Sequence, residues 1–416
     1  MTSPRRDLRQ LLACLIGDPL PSALTPEARG RLLLSTRTAF VTRAPADGDG
    51  FAVAGHVLAD RALLERTLDV SDLARALAEA MDDPTAPVVG EPVPHLESDA
   101  PDLRRLGPFT LPGLPLADYL TSAVAFAPVG DGDVNLSIHR ARVLDATRLV
   151  VRVVPRHLHQ LITANGGRLR AALAFGVDPA VAFAASVPLP APGGELAVAG
   201  ALQRAPVEIF RAHDLWLPAS FECLLIGEFT GETAPEGPFI DLTGTIDPVR
   251  EQPVFRVERM LSRADAVIPM ILPSSAEHAL LMGLAREAAV GRALRPFYRD
   301  EPVVRLTVGG AGWLHCVVAG DSDAPKDELA RAAFGAHASC KRLTLIDGDL
   351  DPADPVAVEW ALATRFQADR DLLVLPGERG STLDPSSDDG VTARWVQDAR
   401  CPAGRDRALF TRLLDL

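Results

Sequence analysis

The sequence predicts a mixed α/β protein, and three patterns along the chain support this prediction. Residues 133–140 alternate polar and apolar side chains, and the β-branched run 149–154 follows after a short turn, which is typical of a β-hairpin. Short apolar runs alternate with helical segments over residues 118–245. The longest helical pattern lies at 275–294, and further strand patterns come after it. We therefore expect two α/β domains on either side of a linking helix.

The composition is that of an ordinary globular protein. The 416 residues are 47% hydrophobic and 23% charged, which is too apolar for a disordered chain. A formal net charge of -13 argues against a nucleic-acid-binding protein. Five cysteines are scattered without a C-x-x-C pair, which suits a reducing cytoplasm. No apolar run approaches the roughly 18 residues of a membrane span, so we expect a cytoplasmic protein.

Residues 1–117 predict short helices and loops that wrap the domain after them. The start of the chain has two arginines before the apolar run 11–16, which is too short for an export signal and is interpreted as an amphipathic helix. The helical periodicity of 57–81 is interrupted near 69–72, where Ser71 is the expected N-cap of a second helix. Residues 82–117 are rich in proline, glycine and acids, which is typical of loops.

Residues 118–274 predict the sheet-rich domain. After the hairpin, a helix at 157–165 is expected to end at Gly166 and Gly167. Asp178 as N-cap and Pro179 in the first turn predict the start of another helix. The other expected elements are a buried strand at 173–176, a helix at 195–202, strands at 207–210, 221–226, 254–259 and 266–270, and a rigid loop at 234–241.

Residues 298–416 predict a smaller α/β domain after the linking helix at 275–297. We expect this domain to end near residue 375, with a loop-rich tail behind it. The acidic run 347–351 lacks the glycine and glutamate of an EF-hand, so we interpret it as a turn before a helix that Asp354 caps. The expected strands lie at 303–307, 314–318 and 342–346, and the expected helices at 327–334 and 355–365.

Asn135, His157 and Glu195 form a first candidate set, of the kind that binds a hard metal ion. An amide oxygen, an imidazole and a carboxylate without sulfur favour Mn²⁺ or Mg²⁺ over a structural zinc. His159 lies two positions after His157 on the same expected helix, so the two rings diverge and at most one is a ligand. Such a triple is common by chance in any sequence, and taken alone it is a weak signal.

Arg140, Glu236 and Asp241 form a second candidate set, suited to proton transfer. The guanidinium would keep one carboxyl ionised, while repulsion and burial push the other towards its neutral form, which can donate a proton. The competing interpretation is an ion pair on the surface, which is common for arginine and glutamate.

The residues of both sets lie in a series of motifs that together resemble the UbiD family of decarboxylases. The resemblance is good from Asn135 to Arg365 and weak before Asp118, and the number of motifs in the family's order makes it specific. The matching runs are DLRQLL at 7–12, NLSIHR at 135–140, PRH at 155–157, ELAVAGAL at 195–202, LPASFE at 217–222, PEGPFID at 235–241, LTLIDGDLD at 343–351 and VEWALATR at 358–365.

This resemblance implies a split-β-barrel flavin domain, a linking helix and a C-terminal dimerisation domain. It further implies a prenylated flavin mononucleotide (prFMN) whose phosphate is held by Mn²⁺ (or Mg²⁺) and K⁺. Asn135, His157 and Glu195 would be the ligands of the divalent metal, and Arg140, Glu236 and Asp241 would be catalytic. The expected cofactor-binding residues are Asn135, Ser137, Ile138, His139, Arg140, Arg156, His157, Ala185, Ser186, Val187, Pro188, Glu195 and Lys341.

The resemblance also implies the reaction and the partners. The expected activity is the reversible decarboxylation of an aromatic, heteroaromatic or α,β-unsaturated carboxylic acid, in which Asp241 delivers the proton and Arg140 holds the substrate carboxylate. A UbiX-type flavin prenyltransferase would supply the cofactor, and a homodimer or higher homo-oligomer is expected. Two alternatives remain open on the sequence: a metal-dependent enzyme of another class, and a UbiD-like protein with a binding or scaffold role.

Overall fold

The computed structural model of this chain describes residues 8–15, 18–22, 25–45, 50–130 and 132–413. It divides into two compact units. The first comprises Met1–Asp241 and Ile246–Leu281, and the second comprises Leu242–Thr245 and Met282–Leu416. The expected N-terminal helix is present at Leu8–Leu15, while Asp7, with which the matching motif begins, lies outside the described residues.

The first unit contains seven α-helices and sixteen strands among its described residues. The helices are α1 (Leu8–Leu15), α2 (Pro26–Ser35), α3 (Arg61–Leu68), α4 (Leu73–Asp82), α5 (His157–Ala164), α6 (Pro179–Ala184) and α7 (Glu195–Leu202). The strands are β1 (Phe40–Val41), β2 (Ala52–Gly55), β3 (Val88–Val89), β4 (Leu96–Ser98), β5 (Phe109–Leu111), β6 (Leu116–Val129), β7 (Asp133–Val143), β8 (Arg148–Val151), β9 (Arg168–Phe175), β10 (Glu208–Ala212), β11 (Leu215–Pro218), β12 (Cys223–Glu236), β13 (Phe239–Ile240), β14 (Ile246–Asp247), β15 (Arg250–Ser262) and β16 (Val267–Met270).

Six antiparallel strands form a closed barrel in this unit. The strand order is β12-β9-β6-β7-β8-β15, and β15 pairs again with β12, so the sheet closes on itself. Large apolar side chains fill its core, among them Phe109, Phe175, Phe229 and Phe255. The hairpin of β7 and β8, the mixed α/β fold and the barrel that the resemblance implies are all confirmed.

Several elements of the first unit differ from the expectations. The loop expected at 234–241 is largely extended, because β12 continues to Glu236 against β15 and Phe239 pairs with Asp247. The N-cap of α4 is Asp72 and not Ser71, since the Asp72 side chain accepts a hydrogen bond from the backbone of Arg75. Strand β16 does not join the barrel; it lies parallel to β2 in a separate three-stranded sheet. The region before residue 118 contains five short strands that the sequence did not predict.

The second unit is a five-stranded sheet with apolar clusters on both of its faces. Cys316 and Val318 belong to a cluster that includes residues of two helices, whereas Val317 and Ala319 belong to a cluster that includes residues of a third. This alternation is what a strand with two buried faces requires. The strand order is β17-β18-β19-β21-β20. The elements are β17 (Val303–Leu306), β18 (His315–Ala319), α9 (Lys326–Ala336), β19 (Arg342–Ile346), α10 (Pro355–Thr364), α11 (Ala368–Asp371), β20 (Leu372–Arg379) and β21 (Val391–Asp398).

The long helix α8 (Ala276–Leu294) precedes these strands and belongs partly to each unit. The expectation that the second domain ends near residue 375 is wrong, because β21 lies between β19 and β20 in the sheet. The helix cap expected at Asp354 is present, since its side chain accepts a hydrogen bond from the backbone of Val356. No helix in the described ranges is both long and apolar enough to cross a membrane.

Candidate active site

Barrel strands carry Arg140 and Glu236 to the same place. Arg140 lies on β7, and Glu236 is the last residue of β12, where it pairs with Arg250 at the start of β15. The guanidinium of Arg140 donates from Nε to Glu236 Oε1 at 2.9 Å and from Nη2 to Glu236 Oε2 at 3.1 Å. The Glu236 side chain is completely buried. A bidentate pair of this kind is strong and fixes the orientation of both groups.

Arg140 is shared by two further carboxylates. Its Nη1 lies 3.3 Å from Asp241 Oδ2, and its Nη2 lies 2.7 Å from Asp247 Oδ2. Burial would lower the pKa of Arg140, but Glu236, Asp247 and Asp241 together raise it. Burial would likewise raise the pKa of Asp247, but hydrogen bonds from Arg140 and Arg250 outweigh burial and lower it. The structure therefore brings the predicted set of Arg140, Glu236 and Asp241 together, and adds Asp247 to it.

Aromatic side chains enclose this ion network on the barrel side. The guanidinium of Arg140 lies over the ring of Phe239, 3.9 Å from its centroid. The Tyr119 hydroxyl donates to Glu236 Oε1 at 2.8 Å and accepts from the backbone N–H of Gly237 at 3.0 Å. Burial and the nearby Glu236 carboxylate raise the pKa of Tyr119, so its hydroxyl stays protonated as a donor. Gly237 adopts φ +101°, which favours glycine at this turn.

His278, in the first turn of α8, lies in the electrostatic neighbourhood of Asp241 and Arg140. Burial lowers the pKa of His278 to about 4; Asp241 opposes this and Arg140 adds to it. Its Nδ1 accepts a hydrogen bond from the backbone N–H of Ser274 at 3.2 Å. A neutral imidazole that accepts at Nδ1 carries its proton on Nε2, so His278 is a neutral donor at pH 7.

Asn135 and Glu195 lie together at another part of the first unit. Glu195, the first residue of α7, accepts a hydrogen bond from the backbone N–H of Leu136 at 3.2 Å. Burial raises the pKa of Glu195 to about 7, and the charge of Asp133 adds to the shift. The side-chain oxygen and nitrogen of Asn135 are both buried without a hydrogen-bond partner among the described residues. Buried polar groups are rarely left unpaired, so this amide is suited to a ligand.

The glycine turn before Glu195 fits tightly against β7. Gly193 has φ +94°, and a Cβ atom there would lie 2.3 Å from Asp133 Oδ2. His157, the third predicted metal ligand, is the half-buried first residue of α5, and both α5 and α7 pack against β7. Among the described residues, no group of three or more His, Cys, Asp or Glu side chains could hold a metal ion. The predicted set is of a different kind, because one of its ligands is an amide.

The remaining predicted cofactor residues occupy three places. His139 donates from Nδ1 to the carbonyl of Arg152 at 2.8 Å, and its Nε2 lies 2.7 Å from Ser137 Oγ. Since the carbonyl can only accept, Nε2 accepts the Ser137 proton, and burial lowers the pKa of His139 to about 4. Arg156 is exposed and precedes α5. The segment 185–188 follows α6, where the Ser186 hydroxyl donates to Phe183 O. It contains the predicted residues Ala185, Ser186, Val187 and Pro188.

Lys341 lies in the second unit. Its Nζ lies 2.7 Å from Asp384 Oδ2 and 2.6 Å from Ser386 Oγ. This ammonium group therefore already has two partners, and its assignment to the cofactor stays a prediction.

A small cavity of about 30 Å³ lies in the first unit. Its lining is mostly apolar and includes Ile138, Ser122 and Glu277. Glu277 Oε1 accepts a hydrogen bond from the backbone N–H of Leu58 at 2.7 Å, and its Oε2 has no partner among the described residues. Burial raises the pKa of Glu277 to about 7. The lining of the cavity is therefore an apolar surface with one buried carboxyl.

Four residues of this site were not predicted from the sequence: Tyr119, Asp247, His278 and Glu277. The first two reach Glu236 and Arg140 only through the closure of the barrel and the β13–β14 pairing. Glu277 and His278 are a polar pair at the start of an apolar helix. From the sequence pattern alone, such a pair is expected in a solvent-facing first turn.

Two family models match most of the chain. Residues 81–276 match the model described as the UbiD 3-octaprenyl-4-hydroxybenzoate carboxy-lyase Rift-related domain, and residues 279–399 match that of its C-terminal domain. The chain is 37% identical over 365 residues to the anhydromevalonate phosphate decarboxylase of Aeropyrum pernix, which covers 84% of this chain and 82% of the relative.

Two solved structures are similar to this chain over nearly its whole length. The UbiD-class enzyme HmfF from Pelotomaculum thermopropionicum in complex with FMN has a TM-score of 0.89 at 28% identity, covering 98% of this chain and 97% of that chain. An evolved dimeric form of the same enzyme in complex with prFMN has a TM-score of 0.85 at 26% identity, covering 97% of this chain and 96% of that chain.

Proposed function

Because the chain belongs to the UbiD family and is a carboxy-lyase, we propose that it decarboxylates a conjugated carboxylic acid, non-oxidatively and reversibly, with prenylated FMN as cofactor. The acid would be aromatic, heteroaromatic or α,β-unsaturated. Among these, an α,β-unsaturated acid is favoured, because relatives at 37% identity act on anhydromevalonate phosphate. Loss of water from a 3-hydroxy acid leaves a C=C bond next to its carboxylate, as this reaction requires.

The residues around Asn135 fit a metal-bound phosphate. The amide of Asn135 has two buried atoms without partners among the described residues, and burial destabilises the anionic form of the Glu195 carboxyl beside it. A divalent cation would satisfy the amide oxygen and the carboxylate, and a phosphate oxygen would accept from the amide nitrogen. We propose that Asn135, His157 and Glu195 hold Mn²⁺ or Mg²⁺. Residues 184–187 would line a K⁺ and phosphate region. The other residues that would contact the cofactor are Ser137, Ile138, His139, Arg156 and Pro188.

When bound, prFMN would supply the electron sink that decarboxylation needs. The protein's own part is to orient the substrate, and Arg140 is placed to do so. Of its three carboxylate partners, Glu236 is bidentate and fully buried, whereas Asp241 contacts the guanidinium through Oδ2 at 3.3 Å and is 19% exposed. Breaking a buried pair is far more costly than breaking an exposed one. A substrate carboxylate would therefore displace Asp241 from Nη1 and leave Glu236 in place.

This displacement would prepare Asp241 to donate a proton. A carboxylate that loses its guanidinium partner and gains an anionic neighbour binds a proton more readily. Asp241 would then protonate the carbon that CO₂ has left, while the neutral His278 donates a hydrogen bond nearby. Positioned general acids of this kind contribute about 10²- to 10⁴-fold.

The observation that supports this proposal best is the convergence of Glu236, Asp241 and Asp247 on one guanidinium. Asp241→Asn is expected to lower kcat by at least about 10²-fold while flavin remains bound, because the amide cannot donate the proton. The exposed Asp99→Asn, which lies outside the network, serves as the control. Full activity of Asp241→Asn would contradict the assignment of the acid.

A second experiment tests the cofactor site. Protein produced together with a flavin prenyltransferase is expected to carry about one flavin per chain, seen by absorbance. Glu195→Gln is expected to lower metal and flavin content together, whereas Glu258→Gln leaves both unchanged. Metal without flavin in the wild type would favour a metal-dependent enzyme of another class. Flavin without turnover of any acid would favour a binding role.

From the family we also propose the cofactor supplier, the cellular location, the oligomeric state and the roles of the domains. A UbiX-type flavin prenyltransferase would supply the cofactor, and the chain would act in the cytoplasm as a homodimer or larger homo-oligomer. Residues 118–274 would bind prFMN, residues 298–416 would dimerise, and residues 275–297 would link the two. Size-exclusion chromatography with light scattering measures the oligomeric state directly.

A further inference from the structure

We propose that Arg152 binds a second anionic group of the substrate, a phosphate ester, on the Asp247 side of the arginine–carboxylate network. The inference rests on the proposed function, because it names the class of acid that the same site would take. It assigns a substrate contact to a residue that lies outside the three catalytic groups.

The guanidinium of Arg152 is only partly used by the protein. Arg152 follows β8, where its backbone N–H donates to Arg140 O at 3.0 Å. Its side chain is 19% exposed, and its Nε lies 3.7 Å from Asp247 Oδ2, which is an ion pair without a hydrogen bond. Within the described ranges this guanidinium donates no hydrogen bond. A guanidinium has five N–H donors, and half-buried donors normally find acceptors, so an anion is expected here.

Asp247 has three guanidinium partners for its single negative charge. Both of its oxygens already have arginine partners, since Oδ2 accepts from Arg140 at 2.7 Å and Oδ1 accepts from Arg250. Arg152 is thus the third guanidinium on one carboxylate, and Glu236 and Asp241 are the other two partners of Arg140. Burial lowers the pKa of Arg152, Asp247 opposes this, and Arg140 adds to it. Partly buried positive charge of this kind attracts an anion more strongly than it would in water.

A phosphate monoester suits this position better than a neutral group does. It carries a charge near −2 at neutral pH and three acceptor oxygens, and a guanidinium can bind two of them at once. An acid with a conjugated carboxylate at one end and a phosphate at the other would place the first on Arg140 and the second on Arg152. A second carboxylate shares part of this chemistry, so the experiment has to separate the two.

The first test measures turnover by the cofactor-loaded enzyme with anhydromevalonate phosphate and with its dephosphorylated form. Arg152→Gln is expected to raise KM for the phosphorylated acid about 10- to 100-fold, the size of a lost charge-assisted hydrogen bond, and to change kcat less than about twofold. KM for the dephosphorylated acid is expected to change less than about twofold. Arg148→Gln, an exposed arginine on β8 that pairs with Asp145, is the control.

Three outcomes of this test would overturn the inference. An equal loss with both acids would show that Arg152 positions Asp247 and Arg140 instead of binding substrate. No loss with either acid would show that it has no part in binding. If Arg152→Gln raises KM more for glutaconate, an unsaturated dicarboxylate, than for the phosphorylated acid, Arg152 binds a carboxylate and not a phosphate. Arg152→Lys keeps the charge and is expected to retain part of the affinity, and it replaces Arg152→Gln if that variant does not fold.

A binding measurement separates this inference from the proposed function. Methyl phosphate is titrated calorimetrically into cofactor-loaded wild type, Arg152→Gln and Arg148→Gln, and only Arg152→Gln is expected to bind at least about 10-fold more weakly. If wild type decarboxylates neither acid but binds methyl phosphate through Arg152, the proposed substrate is wrong and the anion site stands. If binding does not depend on Arg152, the inference fails whatever the turnover.

Discussion

Replacing Tyr119 with phenylalanine removes a single oxygen atom from the buried network around Arg140, and its contacts give the expected cost. The hydroxyl donates to Glu236 Oε1 at 2.8 Å and accepts from the Gly237 N–H at 3.0 Å, in a side chain that is 1% exposed. A hydrogen bond to a charged group contributes about 1.5–3 kcal/mol, and an orphaned buried N–H costs about 1–3 kcal/mol. Since such terms are not fully additive, we expect Tyr119→Phe to lower the free energy of unfolding by about 2–4 kcal/mol.

The chain offers a matched control, because the hydroxyl of its second tyrosine is also buried but makes no hydrogen bond within the described residues. Tyr298 is 5% exposed, and its hydroxyl has no hydrogen-bond partner within the described structure. Removing a buried hydroxyl that bonds to nothing takes away a desolvation penalty. Tyr298→Phe is therefore expected to leave the free energy of unfolding unchanged or to raise it by about 1 kcal/mol.

The assay is guanidinium chloride denaturation of both variants, followed by circular dichroism, with decarboxylation measured on the same preparations. Tyr119→Phe is expected to lose stability and also activity, because Glu236 then keeps only Arg140 as its partner and is less firmly oriented. Equal stability of the two variants would refute the reasoning. So would a Tyr119→Phe variant that matches wild type in both stability and turnover.

Two further predictions concern the buried carboxyl of α8 and the glycine turn before α7. Burial raises the pKa of Glu277 from 4.5 to about 7, so between these pH values the folded state holds a proton that the unfolded state has released. The protonated carboxyl therefore contributes stability at low pH, and this contribution is lost as the pH rises through 7. The free energy of unfolding of Glu277→Gln, measured by urea denaturation, should therefore rise relative to that of the wild type between pH 5 and 8, by up to about 3 kcal/mol. If the two proteins show the same dependence of stability on pH, this prediction is wrong. Gly193→Ala should lower the melting temperature and the metal content, because its Cβ would collide with Asp133. The control is Gly132→Ala, because Gly132 has a similar φ of +102° and a Cβ there would have nothing within 4 Å. Equal effects of the two alanines would remove the argument from the close contact.

Local signals predicted the elements that carry most of the site. The helix at 195–202 was predicted with the bounds that the structure has, and the β7–β8 hairpin follows from alternation and β-branching. The errors lie where long-range pairing decides. The run PEGP at 235–238 indicates a loop by its composition, yet β15 extends β12 to Glu236 because the barrel closes there. Strand β21 follows a long turn-rich segment, and only its place between β19 and β20 shows that the sheet continues.

The chemistry of the site was less accessible from the residues alone. Arg140 and Glu236 are 96 positions apart, and no spacing rule connects them; the family resemblance placed them together, and the structure agrees. Tyr119 was invisible for the same reason, since its partner Glu236 is 117 positions away. The two unpartnered atoms of Asn135 could not be foreseen either, because whether an amide is satisfied depends on every group that packs around it.

The surroundings of Arg140 and those of Asn135 differ in how many of their polar groups already have partners. This difference decides how strongly a ligand bound at each place stabilises the fold. Arg140 and its three carboxylates are paired with one another, so a substrate carboxylate must displace a contact of Arg140 before it gains one. Around Asn135 the amide and the Glu195 carboxyl are buried with too few partners, so a cation and phosphate would relieve a cost that the empty protein already bears. A ligand adds stability only through what it gains on binding the folded state. Loading the cofactor should consequently stabilise the fold strongly, whereas binding a substrate should stabilise it weakly, which suits a group that stays bound and a group that must leave.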